Sequence, residues 1–487
     1  MTLPKGSDIY FVGIGGTGMA SVAGLCQEAG FKITGSDAGI YPPMSDMLKE
    51  LNITAVAPYA ASNVSSRKID MAVIANVLSR GNVELEWILE HKIPYVSFPA
   101  LMGDLFLKDR FSCVVAGTHG KTTTSSILAH VLNELGEDPG FLIGGIPRNF
   151  PRSFRIGSGK PFVIEGDEYD TAFFDKGPKF LHYCPKLAIL NNLEFDHADI
   201  YPDLASIEKQ FVKLAKLVPN TANIIANIDD PGIKKILAEN NMLSAVTSVS
   251  TEGKNKDAKV YVVDVSVNAS SKSGIQHWKA SYHCKDFGQL TIETQLSGRH
   301  NIANIAMVLA SLQNLTAQSV IKKPDSKALI KAFASFMNVK RRLDRLAFGG
   351  DIEVYEDFAH HPTAVKLVIE GFKQAFPDRR LVVAFEPRSA TQRRNVFQND
   401  YARTLSLADA VYIGECPEDK RIPEAERMST AKLQQTIGNK ARVFPTNNDL
   451  LASLKVDLHA GDSVVFMSSG SFSGVQHSLA QEISKRG

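Results

Sequence analysis

Long apolar runs are missing from this 487-residue chain. None reaches the roughly 18 residues that a membrane-crossing helix needs, and no membrane partner is expected. An excess of charge is missing too: 54 Lys and Arg face 52 Asp and Glu, a formal charge of +2. That balance argues against a polyanion-binding surface, so no nucleic-acid partner is expected. The basic run Lys340-Arg341-Arg342 is short and suits a small phosphorylated ligand better. Cysteine is scarce, with five residues at 26, 113, 184, 284 and 416. Their odd number and scattered spacing exclude a disulfide framework and a cysteine metal site. Cys113 lies in an apolar run and reads as a small core residue. No basic region followed by a continuous apolar stretch opens the chain, so the expectation is a cytoplasmic protein. No simple repeat and no long disordered linker is present; Pro42-Pro43, Pro417-Glu418 and Pro445-Thr446 mark local turns. Nothing indicates an obligate protein partner.

Eight residues carry the strongest chemical signal: Gly117-Thr118-His119-Gly120-Lys121-Thr122-Thr123-Thr124. They follow the apolar run 113–116 and open a helix-like segment, 125–135. A tight glycine turn between a buried strand and a helix aims several backbone N–H groups one way, which suits polyphosphate. Lys121 can reach β- and γ-phosphates, and the Thr122 hydroxyl can bind Mg²⁺. The motif is shorter than the usual phosphate loop, with Ala116 where the first glycine belongs. The bland alternative is a glycine-rich turn whose lysine faces solvent.

The length implies two to four domains, and the pattern divides into three α/β segments. The first spans 1–108. The strand-like run 8–12 leads into Gly13-Ile14-Gly15-Gly16-Thr17-Gly18, then a helix-like stretch, 19–29. Asp37 ends the next strand, 31–35, where an acid commonly meets a ribose. Glycines that merely tighten the turn, a dinucleotide and a UDP-sugar all remain open here.

The second segment spans 109–337. Its strand-like runs 161–165 and 187–190 end in Glu165-Gly166-Asp167-Glu168 and in Glu194-Phe195-Asp196-His197. In a parallel sheet these ends share one rim with the phosphate loop. Glu165 and His197 could there hold Mg²⁺ or Mn²⁺ beside a nucleotide; capping and plain polarity are nearly as good a reading for Glu168 and Asp196. The polar stretch 251–288, including 268–274, reads as an antiparallel flap beside the main sheet. Gly298-Arg299-His300-Asn301 precedes an apolar helix, and Asn301 is expected to cap it or to contact a bound base. The third segment spans 338–487. Its strand ends carry Asp357, His360, Arg388 and Ser389, with Arg341 and Arg342 upstream. Two anion-friendly domains around a triphosphate domain suggest the joining of two substrates.

Along nearly its full length the chain resembles the Mur ligase family. The carrying runs are GTHGKTTT at 117–124, GIGGTGM at 13–19, GRHNIAN at 298–304 and YEDFAHHP at 355–362. The resemblance implies a Rossmann-like N-terminal UDP-sugar domain, a central P-loop ATPase-like domain with a mostly parallel sheet, and a Rossmann-like C-terminal domain for the incoming amine. The implied reaction is ATP-dependent amide formation through an acyl phosphate, in peptidoglycan recycling. Within the family, GSDAGIYPPMS at 35–45, EGDEYDTAFFDKGPKF at 165–180, NNLEFDHADIY at 191–201, EPRSAT at 386–391 and MSSGSFSG at 467–474 resemble one branch. That branch joins UDP-N-acetylmuramate to L-alanyl-γ-D-glutamyl-meso-diaminopimelate; the alternative is the L-alanine-adding branch.

Carried over by motif, the resemblance implies ATP binding by Gly117, Thr118, His119, Gly120, Lys121, Thr122, Thr123, His300, Asn301, Arg342 and Asp357. Thr122, Glu165 and His197 are the implied metal residues. Lys121, Glu165, His197, Arg342 and His360 are the implied catalytic set, with His360 the only candidate base. Gly15, Gly16, Thr17, Gly18 and Asp37 are implied for the UDP-sugar, and Arg388 and Ser389 for the diaminopimelate end of the peptide. The carbamylated lysine of several sister ligases has no clear match.

Overall fold

The computed structural model describes residues 3–41, 43–268 and 277–486. Pro42 and most of the polar stretch 268–274 lie outside them. In the first segment, β1 (Asp8–Val12), β2 (Lys32–Ser36), β3 (Thr54–Val56), β4 (Met71–Ile74) and β5 (Tyr95–Ser97) form a parallel sheet in the order β3-β2-β1-β4-β5. Its central strands are apolar throughout rather than alternating, because helices cover both faces. The strand order reverses at β1, and the glycine loop lies at that strand's carboxyl end, where such sheets bind ligands.

The central sheet joins β6 (Phe111–Ala116), β7 (Gly140–Leu142), β8 (Phe154–Arg155), β9 (Pro161–Gly166), β12 (Leu187–Leu190), β13 (Ile224–Asn227), β14 (Thr247–Ser250), β15 (Val260–Asn268), β16 (His277–Cys284) and β17 (Gly288–Thr294). Between β9 and β12 a separate hairpin pairs β10 (Asp170–Ala172) with β11 (Asp175–Pro178). The ten strands run in the order β17-β16-β15-β14-β13-β12-β6-β9-β7-β8. Within the stretch expected as a flap beside this sheet, the described strands β15 and β16 are instead part of it. β15 pairs in parallel with β14, and β16 and β17 add antiparallel strands outward. β16 alternates buried residues with exposed or half-buried ones, so one face packs and the other meets solvent.

The third sheet comprises β18 (Asp344–Gly349), β19 (Ile352–Asp357), β20 (Arg380–Phe385), β21 (Ala410–Ile413), β22 (Ala441–Val443) and β23 (Asp462–Met467). Its order is β18-β19-β23-β20-β21-β22, with only β18 antiparallel. One apolar cluster runs continuously from the first segment into the central one, whereas the third sheet has its own cluster on each face. Gly24 shows how closely the first two segments meet. A Cβ there would lie 2.2 Å from Cζ of Phe154, so only glycine admits that ring. Among the described residues no helix is long and apolar enough to cross a membrane.

Candidate active site

The phosphate-type loop joins β6 to the helix Lys121–Glu134. Its shape needs glycine. Gly120 has φ 82°, and Gly117 has φ 144°. A Cβ on Gly120 would lie 2.7 Å from Asn304 Oδ1, and one on Gly117 would lie 2.9 Å from the Asn191 Cβ. The segment after β12 fastens the loop from outside. Asn192 accepts from the Thr118 N–H at 3.2 Å and, through Oδ1, from the His119 N–H at 2.8 Å. Thr118 Oγ1 accepts from the Glu194 N–H at 2.8 Å. Among the described residues no side chain caps the helix, so its first-turn N–H groups face a position that suits a phosphate.

Thr122, Glu165 and Arg342 meet here. Thr122 Oγ1 donates to Glu165 Oε2 at 3.1 Å and accepts from the Arg342 guanidinium at 3.2 Å. The Gly144 N–H also donates to Glu165, at 2.6 Å. Burial pushes the Glu165 carboxyl up, against the pull of that hydrogen bond, Lys121 and Arg342. The two adjacent arginines part ways: Arg341 turns to the Ser468 and Gly470 carbonyls.

Lys121 does not lie free in the loop. It donates to the Gly117 carbonyl at 2.7 Å and to both oxygens of Glu168, at 3.1 and 2.9 Å. His197 Nε2 is 3.3 Å from Glu168 as well. Burial alone would lower the Lys121 ammonium, but Glu168 and Asp167 hold it above its usual value. Burial likewise opposes ionisation of Glu168, and Lys121 and His197 outweigh it. His197 is thus grouped with Asp167 and Glu168, whose ligand atoms lie within 4.8 Å of one another, rather than with Glu165. A second such group joins His119, Glu194 and His361. Asp167 is met by Lys179 at 2.5 Å. The sequence signal for Glu168 was its place two residues beyond the end of β9; for Glu194 and His361 it was only their neighbourhood to His197 and His360.

Other expected nucleotide residues surround this centre. His300 is pushed down to about 4 by burial, then by Arg342 and His119, and its Nδ1 is buried without a partner among the described residues. The Asn301 amide donates to the Ser297 carbonyl at 2.7 Å and accepts from Asn304 at 3.1 Å, so it ties the start of its helix rather than facing outward. Asp357 accepts from the Leu343 and Ala359 N–H groups, both at 2.6 Å. It therefore reaches the loop through the Arg341–Leu343 turn. Burial lowers the His360 imidazole, against the pull of Asp196, with Nδ1 3.0 Å from the Phe358 carbonyl and Nε2 3.9 Å from Asp196.

Two further groups stand apart. At the first sheet, Gly16 precedes an uncapped helix starting at Thr17. The Gly15 N–H donates to Asp37 at 2.8 Å, so Asp37 braces this loop, and Gly18 approaches the Phe98 ring. Beyond β20, Gln392 Oε1 accepts from the N–H groups of Arg388 and Ser389, at 3.0 and 2.9 Å. The exposed Arg388 lies across Gly470, where a Cβ would be 2.7 Å from its Cγ.

A phosphate loop with a carboxylate-bound threonine, flanked by two separate α/β domains, defines a nucleotide-dependent enzyme of several substrates. Models of the Mur ligase family catalytic domain, the Mur ligase middle domain and the Mur ligase glutamate ligase domain match residues 8–110, 115–312 and 341–470. The chain is 37% identical over 480 residues to the UDP-N-acetylmuramate–L-alanyl-gamma-D-glutamyl-meso-2,6-diaminoheptandioate ligase of Escherichia coli K12, covering 98% of each. It is 30% identical over 488 residues to a UDP-N-acetylmuramate–L-alanine ligase of Delftia acidovorans, covering 98% of this chain and 96% of that one. A murein peptide ligase structure from Psychrobacter arcticus superposes with a TM-score of 0.72 at 31% identity, over 98% of this chain and 99% of that one. The chain belongs to the Mur ligase family, and its three-domain α/β architecture is that family's. It is an ATP-dependent ligase of the class that joins an acid to an amino acid or peptide, in a family that generally depends on ATP and Mg²⁺.

Proposed function

We propose that this protein is a murein peptide ligase. It joins UDP-N-acetylmuramate to the recycled tripeptide L-alanyl-γ-D-glutamyl-meso-diaminopimelate, releasing ADP and phosphate, in the cytoplasm. The observation that carries the chemistry is the meeting of Thr122, Glu165 and Arg342 at the mouth of an uncapped glycine loop. The choice of amine is supported by the 37% identity to a tripeptide ligase over 98% of the chain. Boundaries near 108 and 337 divide the UDP-sugar, ATP and peptide domains in this reading.

The lactyl carboxylate of UDP-N-acetylmuramate attacks the γ-phosphorus of ATP. The bond to the ADP oxygen breaks, and an acyl phosphate forms. The α-amine of the tripeptide then attacks the acyl carbon and expels phosphate. The N–H groups of Lys121, Thr122 and Thr123 receive phosphate oxygens, with Gly117, Thr118, His119 and Gly120 shaping the cradle. Lys121 and Arg342 offset charge on the transferring group. Thr122 and Glu165 supply the hydroxyl and carboxylate that would hold Mg²⁺ or Mn²⁺, and His197, grouped with Asp167 and Glu168, would assist at a second metal position; the metal would neutralise phosphate charge when bound. His300, Asn301 and Asp357 shape the nucleotide side. Gly15, Gly16, Thr17, Gly18 and Asp37 hold the UDP diphosphate and nucleoside. Arg388 and Ser389 receive the diaminopimelate end. The attacking amine must be neutral, and His360, whose imidazole burial shifts toward the neutral form, is the candidate to take its proton.

Product mass analysis tests this, with ATP, Mg²⁺, UDP-N-acetylmuramate and an equimolar mixture of tripeptide and L-alanine. The expected product is the UDP-linked tripeptide. Preferential alanine addition would move the protein to the alanine-adding branch. No UDP-linked product from folded protein would end the reading altogether.

A further inference from the structure

Glu168 is only 2% exposed, yet it meets two residues given to phosphate and metal chemistry above, Lys121 and His197. Lys121 Nζ bridges its two oxygens at 3.1 and 2.9 Å, and His197 Nε2 lies 3.3 Å from one of them. The carboxylate cannot easily turn away. The Glu168 carbonyl accepts from the buried Tyr201 hydroxyl at 2.6 Å, and the Tyr169 ring lies 4.0 Å from the His197 ring. The neighbouring Asp167 is no substitute partner, because Lys179 neutralises it at 2.5 Å. Two carboxylate oxygens on a lysine that also touches a loop carbonyl reproduce what a phosphate offers the same lysine.

We propose that Glu168 is a positioning residue that takes the place of phosphate, holding Lys121 until an incoming triphosphate displaces it. The inference rests on the assignment of Lys121 to phosphate. It goes beyond that assignment, because it makes nucleotide binding an exchange of partners. The Lys121–Glu168 pair must break for Lys121 to reach the γ-phosphate, and His197 then remains as the partner that keeps the buried Glu168 carboxylate from standing alone. The exchange lowers nucleotide affinity and keeps the lysine from straying while the loop is empty. It also predicts an unusual gain: removing the carboxylate charge should improve nucleotide binding.

The probe is ATP without divalent metal, measured by calorimetry in EDTA against the parent and Glu168→Gln. The amide keeps the shape and loses the charge, and about tenfold tighter binding is expected, since a hydrogen bond to a charged group is worth about that factor. Lys121, no longer paired, should also be labelled faster by an amine-acylating reagent, read by peptide mass analysis. A Glu168 that only supported the fold would leave affinity unchanged or weakened and the labelling rate unmoved; either result overturns the proposal. If Glu168→Gln does not fold, the parent decides. A crystal structure with a non-hydrolysable ATP analogue should show Lys121 on phosphate and beyond 4 Å from Glu168, as a broken ion pair requires. Lys121 still on Glu168 in that complex overturns the exchange. A parent that binds no triphosphate at all defeats the ligase reading instead, so the two failures are distinct.

Discussion

His361 shows how much one side chain can hold. Its Nε2 lies 3.1 Å from the Phe195 carbonyl, and its Nδ1 accepts the Thr363 N–H at 3.3 Å, capping a helix of the third domain. Burial and the nearby His119 charge push it down to about 4, against the opposing pull of Asp196 and Glu194, with His360 adding to the depression. An unfolded histidine titrates near 6.5, so between about 6.5 and about 4 the unfolded chain binds the extra proton. Its contribution to stability is therefore complete above about pH 6.5 and is lost as pH falls toward about 4. The depression corresponds to something on the order of 3 kcal/mol. Calorimetric melting from pH 7 to 4.5 should show a falling Tm, with a shallower fall in His361→Gln. Parallel curves for the two proteins would remove His361 as the cause. The ionisable residues themselves were plain in the sequence. Which partner each of two adjacent ones meets was not: His361 lies against Glu194 and His360 near Asp196, and Arg342 reaches Thr122 whereas Arg341 turns away. Backbone direction at each residue made that choice, and residue type does not reveal it.

At the scale of elements, a turn near the start of the third segment aims a guanidinium at the phosphate loop. Arg341 and Leu343 sit at φ 62° and 44°, left-handed values that cost side chains roughly 1–2 kcal/mol each. Asp357, at the end of β19, offsets that cost by accepting the Leu343 N–H at 2.6 Å. Arg342 is thereby aimed at Thr122. Asp357→Ala and Arg342→Ala should each raise KM for ATP about tenfold, from the loss of a charged hydrogen bond. The double variant should be little worse than either alone, a cycle that steady-state kinetics can close. Full additivity would mean that Asp357 acts on ATP without Arg342. Strand positions were legible because buried parallel strands are short apolar runs ending in polar, chemically rich residues. The fate of residues 251–288 was not, because alternation identifies antiparallel strands without saying which sheet they extend.

The whole molecule depends on contacts that no local pattern announces. Thr363 Oγ1 donates to Glu194 at 2.7 Å, the Ala198 N–H donates to Thr391 at 3.3 Å, and Arg148 pairs with Asp344. These bind the third domain to the central one around the phosphate loop. Thr363→Val keeps the shape and removes one bond to a carboxylate, worth about 1.5–3 kcal/mol. Amide hydrogen exchange in segments 193–201 and 361–365 should then quicken severalfold. Unchanged exchange would show that the domains dock without this bond. On the other side, Phe154 enters the space left by Gly24, a fit between residues 130 positions apart in the chain.

By itself the sequence determined the α/β class, the strands that end in chemically rich residues, the two glycine loops, and the likeness that identifies a Mur ligase. These are local properties: apolar period, turn-forming glycines and short motifs act over a few residues. Only the tertiary structure decided which charges meet. It put Lys121 on Glu168, His197 beside the same carboxylate, Arg342 on Thr122 and Asp37 under Gly15. Those pairings follow from sheet order and domain docking, which bring distant strand ends within hydrogen-bond reach, and Coulomb and hydrogen-bond energies depend on that distance together with bond angle and burial.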